Sequence, residues 1–188
     1  MICQIFKINN MKILVFSILF FVSSLGLKTQ DLTQDNNTTK VTFKIKNIGM
    51  YVNGTFNEVA VSSNFDIKNF EKSYINATIK VNSISTNNSK RDKHLLKDDY
   101  FDVTKYPIIK STSTKIEKVS ENNYKLTAKL TIKSITKSIV VPIEVNENSK
   151  SVTIKSAFNL NRRNYNVGGS SWVLSNTVKI QIVYSAKK

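Results

Sequence analysis

A single cysteine, Cys3, lies at the extreme N-terminus, so the rest of the chain offers no disulfide, thiolate nucleophile or cysteine metal site. His94 is the one histidine, which excludes a multi-histidine metal site. Two prolines and five glycines in 188 residues exclude collagen-like and proline-rich disordered classes. Acids are few and scattered, 13 against 28 lysines and arginines. No G-x-S-x-G elbow supports a serine triad around His94, and P-loop, dinucleotide-fingerprint and EF-hand patterns are missing. Catalysis therefore has little to stand on, and no cofactor is expected.

What is present begins with an export pattern. Met11 opens a stretch in which Lys12 forms a short cationic region and residues 13–22 an apolar one. Ser23, Ser24 and Gly26 then offer small residues for a cut after Gly26. The apolar run falls short of the ~20 residues that span a bilayer. Residues 1–26 are read as a signal peptide, with Met11 as an alternative start, and the protein is expected to be periplasmic or secreted. Formal net charge is +15, and residues 1–30 hold three lysines and no acid, leaving +12 (15 less 3). Such a balance suits an anionic membrane surface or another acidic partner. A Lys-, Asn- and Ile-rich composition accounts for it without any such partner and is the favoured reading. Nucleic acid is a poor partner, because the lysines are spread along strands rather than gathered on one recognition helix.

After a polar stretch, 27–39, read as a flexible lead-in, period-2 alternation dominates to about residue 186. The cleanest case sets Tyr124, Leu126, Ala128, Leu130 and Ile132 against Lys125, Thr127, Lys129, Thr131 and Lys133. Eight strands are read in all, the fourth at about 107–118, joined mostly by short polar turns that favour antiparallel neighbours. Pro142 inside a strand pattern predicts a bulge or a strand end. Eight such strands with no long helix predict an all-β fold, a closed barrel or a sandwich.

The stretch "SKRDKHLLKDDYFDVTKYP", residues 89–107, breaks the alternation. Ser89 with Asp92 fits a capping box, which predicts a short helix over 90–99 with Leu95 and Leu96 buried. Tyr106-Pro107 forces an extended exit into the next strand. The helix would cross between two strands and close one barrel end. For Arg91, Asp92 and His94 a structural role is favoured over chemistry.

The dry face supplies the candidate lumen: Phe43, Ile45, Val59, Val61, Phe65, Ile79, Val81, Leu126, Leu130, Ile132, Ile143, Phe158, Leu160, Ile180 and Ile182. An eight-stranded barrel can be filled by its own side chains or can hold one small ligand. Alternation shows which face is dry, not whether the interior is full. Two other readings stay open: a filled barrel serving as a stress or interaction protein, and a small outer-membrane barrel with the apolar face outward. The lysine-rich polar face argues against the second, since packing it into a narrow lumen without acids is costly. The sequence leaves the oligomeric state open.

Several motifs in order resemble the YceI-like family of exported lipid- or polyisoprenoid-binding proteins. "FKIKNIGMYVNGTFNEV" is similar to its opening strand and V-x-G-x-F segment, matched at Val52, Gly54 and Phe56. The stretch from 81 to 114 is similar to its S-I-x-T-x-N, R-D-x-H-L and F-D-V-x-K-Y-P series, with Arg91, Asp92, His94, Leu95, Phe101, Tyr106 and Pro107 in place. "KLTAKLTIKSITKSIVVPIEV" resembles the family hairpin, though Lys133-Ser134 replace the usual His-Gly. "FNLNRRNYNVG" resembles the late strand end, with Arg162 on the family arginine and Asn164 and Asn166 where an acid and a glycine are common. The resemblance covers residues 40 to about 186. It implies an eight-stranded antiparallel lipocalin-like barrel that carries a long isoprenoid, a quinone-like lipid or another amphipathic lipid. It implies no enzyme.

Overall fold

The computed structural model describes residues 31–188. The signal-peptide reading and Cys3 lie outside them. In chain order the elements are β1 (Thr33–Gln34), β2 (Lys40–Asn47), β3 (Met50–Phe56), β4 (Val59–Ser63), β5 (Ile75–Lys80), β6 (Ile84–Ser85) and α1 (Ser89–Leu95). There follow β7 (Ile108–Lys118), β8 (Asn123–Ile132), β9 (Ile135–Glu147), β10 (Ser151–Asn161) and β11 (Leu174–Lys187). All pairings among them are antiparallel.

The sheet runs β4-β5-β7-β8-β9-β10-β11-β2-β3-β6 and curls until its ends meet. β3 and β4 are one bent strand interrupted at Asn57-Glu58, and β5 and β6 are another interrupted by a 3-10 turn at Val81–Ser83. The two bent strands lie side by side. Val59 pairs with Ile79, Phe56 with Ile84, and across the bend Asn57 N donates to Ser83 O (3.1 Å) and Lys80 N to Glu58 O (3.0 Å). With each bent strand counted once, the closed circle has eight members. Strand β3 carries little alternation signal, because Gly54 interrupts its apolar face between Val52 and Phe56.

Alternation holds along β8, where Tyr124, Leu126, Ala128, Leu130 and Ile132 are buried while Lys125 and Lys129 are exposed. The apolar face turns inward and the lysine face outward, the reverse of an outer-membrane barrel.

Several local expectations change. Residues 31–39 belong to the barrel rather than to a lead-in. Leu32, their one apolar residue, is buried, and β1 pairs with the end of β11. The Gln34 amide extends that pairing to β4 as a strand would, its Nε2 donating to Val59 O (2.8 Å) and its Oε1 accepting from Val61 N (2.6 Å). Pro142 makes neither a bulge nor a strand end, for β9 runs straight through it opposite Lys125. It is tolerated because the β9–β10 ladder stops at the pair Glu144–Lys155, so no partner awaits a donor from residue 142 on that side. Beyond this point β9 and β10 part, and the 3-10 turn Arg162–Tyr165 folds back so that Tyr165 joins the cluster against which Ile135, Ile139 and Leu160 also pack.

The helix spans Ser89–Leu95, shorter than the expected 90–99. Its cap is Asn88, whose side chain accepts from Arg91 N (3.0 Å), so the Ser89 capping box does not form. Asp92 is occupied elsewhere, accepting from Thr86 N (2.9 Å) and Thr86 Oγ1 (2.5 Å).

Candidate functional site

Two packed clusters bound the interior. At the end away from α1, Leu32, Phe65, Tyr124, Val145, Val152 and Tyr184 form a tight plug. Toward α1, Val81, Ile84, Ile109, Tyr165 and Val167 are joined by Leu95, Leu96, Tyr100 and Phe101. Between them lies a cavity of about 450 Å³. Most of its wall comes from the inward residues of the long strands, which meet in cross-strand rows. One row is Phe158–Ile180–Phe43–Gly54 and the next Leu160–Val178–Ile45–Val52.

Phe43, Ile45, Val59, Val61, Ile79, Leu126, Leu130, Ile132, Ile143, Phe158, Leu160, Ile180 and Ile182 all line this cavity. Nine of them (Phe43, Ile45, Val59, Val61, Ile79, Phe158, Leu160, Ile180, Ile182) point inward yet are only half-buried. Their accessible surface faces the lumen, so the barrel is not filled by its own side chains. Two expected lumen residues are elsewhere. Phe65 comes after β4 has ended and stacks edge-on against Tyr124 (5.4 Å between rings), sealing the closed end. Val81 opens the 3-10 turn, which breaks the alternation phase, and it is buried beside Pro107, whose carbonyl accepts its N–H (2.9 Å).

Gly54 explains the V-x-G-x-F motif. A Cβ built there would sit 2.2 Å from the Phe43 ζ carbon, so the Phe43 ring lies flat over the glycine and forms wall. An aromatic covering a cross-strand glycine is a recurrent device in curved sheets.

The mouth lies at the α1 end. Among the lining residues only His94 and Val173 are exposed, with Asn47, Val52, Arg91 and Ser171 half-buried beside them. The aperture exists because β3 pairs with β6 only at Thr55 and Phe56, leaving the rest of its second edge without a ladder partner. His94 Nε2 lies 3.2 Å from Asp99 Oδ2, and its ring meets Tyr100 edge-on. Arg91 Nε donates to Thr86 Oγ1 (2.7 Å) and Nη2 to Thr86 O (2.8 Å). Thr86 thus takes Arg91 on one side and gives to Asp92 on the other. No carboxylate among the described residues pairs with Arg91, so part of its guanidinium remains for a group at the mouth.

Arg162 has nothing left to offer. It is 4% exposed and donates to the carbonyls of Ser175, Val167, Gly169 and Leu174 and to Asn176 Oδ1. Burial, with Arg163 nearby, holds its pKa below the usual guanidinium value. Its role is to bind the loop before β11 to the barrel. Lys133, one of the departures from the family pattern, works similarly. Its Nζ reaches Asp98 O (3.1 Å) and Asn166 O (3.2 Å), linking the β8–β9 turn to two neighbouring loops. Tyr106 is half-buried, and Pro107 directs the chain into β7.

Two polar groups inside carry no sequence signal, because Tyr184 on the apolar face of β11 looks like ordinary core and Tyr165 sits in a polar turn. The hydroxyls of Tyr165 and Tyr184 are buried without a protein partner, and both side chains line the cavity. Burial raises both pKa values, that of Tyr184 to about 12, so both phenols are held protonated.

An eight-stranded antiparallel barrel closed at one end, open at the other and apolar between is the architecture of a lipocalin-like binding protein. The YceI-like domain model matches residues 32–186, and the chain belongs to the YceI-like family. It is 30% identical over 136 residues to Protein YceI of Salmonella arizonae, covering 72% of this chain and 71% of that one. It is 39% identical over 104 residues to UPF0312 protein plu2095 of Photorhabdus laumondii, covering 55% and 54%. The chain thus spans about half the length of the UPF0312 relative. Among crystal structures, BcnA of Burkholderia cenocepacia superimposes with a TM-score of 0.78 at 25% identity, over 81% of this chain and 99% of that one. A polyisoprenoid binding domain from Saccharophagus degradans shares the fold at TM-score 0.69 and 15% identity, over 83% and 97%.

Proposed function

We propose that this protein is an exported, periplasmic or secreted carrier that holds a long-chain amphipathic lipid, a polyisoprenoid or quinone-like molecule, in the barrel lumen. The observation that carries this is the lumen itself. Its volume lies within the roughly 300–1,000 Å³ of small-molecule sites, its wall is almost wholly apolar, and the polar side chains of Asn47, Arg91, His94 and Ser171 stand at its mouth. An alkyl or prenyl tail entering it gains about 0.8 kcal/mol for each methylene removed from water. Arg91 at the rim suits a polar or anionic head. The phenols of Tyr165 and Tyr184 are donors available to an oxygen that enters the lumen. Family membership, and the fold shared with a domain described as polyisoprenoid binding, support the same reading. The filled-barrel alternative is disfavoured by the half-buried inward residues. Catalysis is disfavoured because His94 engages Asp99 at an exposed rim rather than a nucleophile.

The test is native mass spectrometry of the protein purified without detergent, followed by organic extraction and lipid analysis. A co-purifying long-chain isoprenoid or quinone is the expected result. A ligand-free mass that stays unchanged after incubation with polyprenyl lipids would overturn the proposal.

A further inference from the structure

Beside the mouth the barrel exposes large apolar side chains that no core requires. They come from two tips. One is the β2–β3 turn, where Ile48 (68% exposed) and Met50 (71%) flank Gly49, with Ile48 and Gly49 at positive φ. The other is the loop before β11, with Val173 exposed and Trp172 wholly so. The tips are joined, since Ile48 N donates to Val173 O (2.9 Å) and Asn47 pairs with Leu174. Lys46, Ile48, Trp172 and Val173 border one surface groove. Soluble proteins scatter single exposed apolar residues, but a contiguous set at protruding tips marks an interaction site.

The charge around the tips has one sign. No acid occurs between residues 36 and 57 or between 148 and 188, the segments that build β2, β3, β10, β11 and both tips. Lys44 and Lys179 are exposed cross-strand neighbours, a like-charge pairing that costs stability. Lys44 lies 4.4 Å over the Tyr51 ring and Lys179 5.8 Å from it. Neither these lysines nor Lys46 pairs with an acid among the described residues.

The geometry points to a membrane-docking tip: Trp172, Met50 and Ile48 enter the interface of an anionic bilayer while Lys44, Lys46 and Lys179 contact its headgroups. Tryptophan and methionine supply apolar bodies, and lysines snorkel to phosphate level. A second copy of the chain fits poorly, because face-to-face association would set the same unpaired lysines against each other. Val173, Asn47 and Ser171 belong both to this region and to the cavity lining, so docking sets the mouth against the bilayer. That the docked state loads or unloads lipid rests on the carrier reading. Docking itself does not.

Trp172 is the only tryptophan, so its fluorescence reports this site alone. The protein, as processed by the cell that makes it, is titrated with phosphatidylcholine vesicles with and without phosphatidylglycerol. The expected result is a blue shift with the anionic vesicles, quenching by brominated acyl chains, and reversal by added salt. The variant K44S/K46S/K179S keeps Trp172 and lowers vesicle affinity by at least about tenfold. W172S/M50S, whose two side chains are exposed and outside the lumen, loses vesicle binding in cosedimentation while retaining any lipid recovered by extraction. Three results would overturn docking: emission unchanged by anionic vesicles, a shift that follows protein concentration without vesicles, or undiminished cosedimentation of W172S/M50S. Vesicle binding by a protein that takes up no lumen lipid would instead refute the carrier reading and leave docking standing.

Discussion

Replacing Gly54 by alanine tests whether the lumen wall is built as described. The added Cβ would lie 2.2, 2.7 and 2.8 Å from the ζ and ε carbons of Phe43. Carbon atoms in contact sit about 3.5 Å apart, so the ring must retreat by about 1.3 Å. Phe56, with its ring centroid 5.7 Å away, limits sideways movement, and β3 lies behind. The ring therefore swings into the cavity. Forcing a methyl into packed surroundings costs about 1–3 kcal/mol. The cost here falls near 1 kcal/mol because the ring has space ahead of it. For a domain of this size that lowers Tm by about 2–4 °C. Lipid uptake should fall more than stability, because the displaced ring occupies the volume the tail needs. Thermal unfolding and native mass spectrometry after incubation with a polyprenyl lipid measure the two effects. The double variant F43A/G54A removes the clash, so its loss of uptake should be smaller than that of G54A alone, a coupling that a double-mutant cycle reads directly. Unchanged melting and uptake in G54A, or additive effects in the cycle, would refute the reasoning.

Three other outcomes follow from the same geometry. Asp92→Asn weakens the bonds to Thr86 N and Oγ1 and should cost about 1–3 kcal/mol in chemical denaturation, loosening the 86–92 turn more than the barrel. Arg162→Lys keeps the charge but cannot reach four carbonyls and Asn176 together. Leaving buried acceptors unpaired should cost about 1–3 kcal/mol and, in hydrogen exchange, bring faster opening of residues 167–176 than of β8. Tyr184 has its pKa raised to about 12 by burial, above the ~10 of an exposed tyrosine. The folded state therefore keeps its proton while the unfolded chain loses it, and stability that is whole below pH ~10 declines as pH rises toward ~12. Tyr184→Phe should flatten that decline in a pH series of unfolding curves and, by removing a buried unpartnered hydroxyl, raise stability at neutral pH by about 1 kcal/mol.

Particular residues show how far the chain could be read in advance. The faces of β8 and β10 were legible because side-chain direction in a strand repeats every two residues, whatever the strand packs against. Thirteen inward residues could be named on that basis. Phe65 and Val81 could not be placed, because each follows a break in the strand that resets the phase, and the breaks depend on the neighbouring strand. Gln34 looked like part of a polar leader. Its amide seals a gap between strands that lie far apart in sequence. Arg91 and Arg162 are both arginines in family motifs, yet one keeps donors at a mouth and the other spends all of them on a loop. Residue type and spacing do not separate the two.

By itself, then, the sequence determined an all-β chain with one dry and one lysine-rich face and a family signature across the barrel. Only the tertiary structure decided that the interior is open, that one end is plugged and the other leads out between α1 and the loop before β11, and that exposed apolar tips stand beside that opening. The division has a physical cause. Alternation and turn chemistry are set by a few neighbouring residues. A cavity depends on how eight strands close, where β9 leaves β10 and which glycine admits Phe43, and those are sums of contacts between residues distant along the chain.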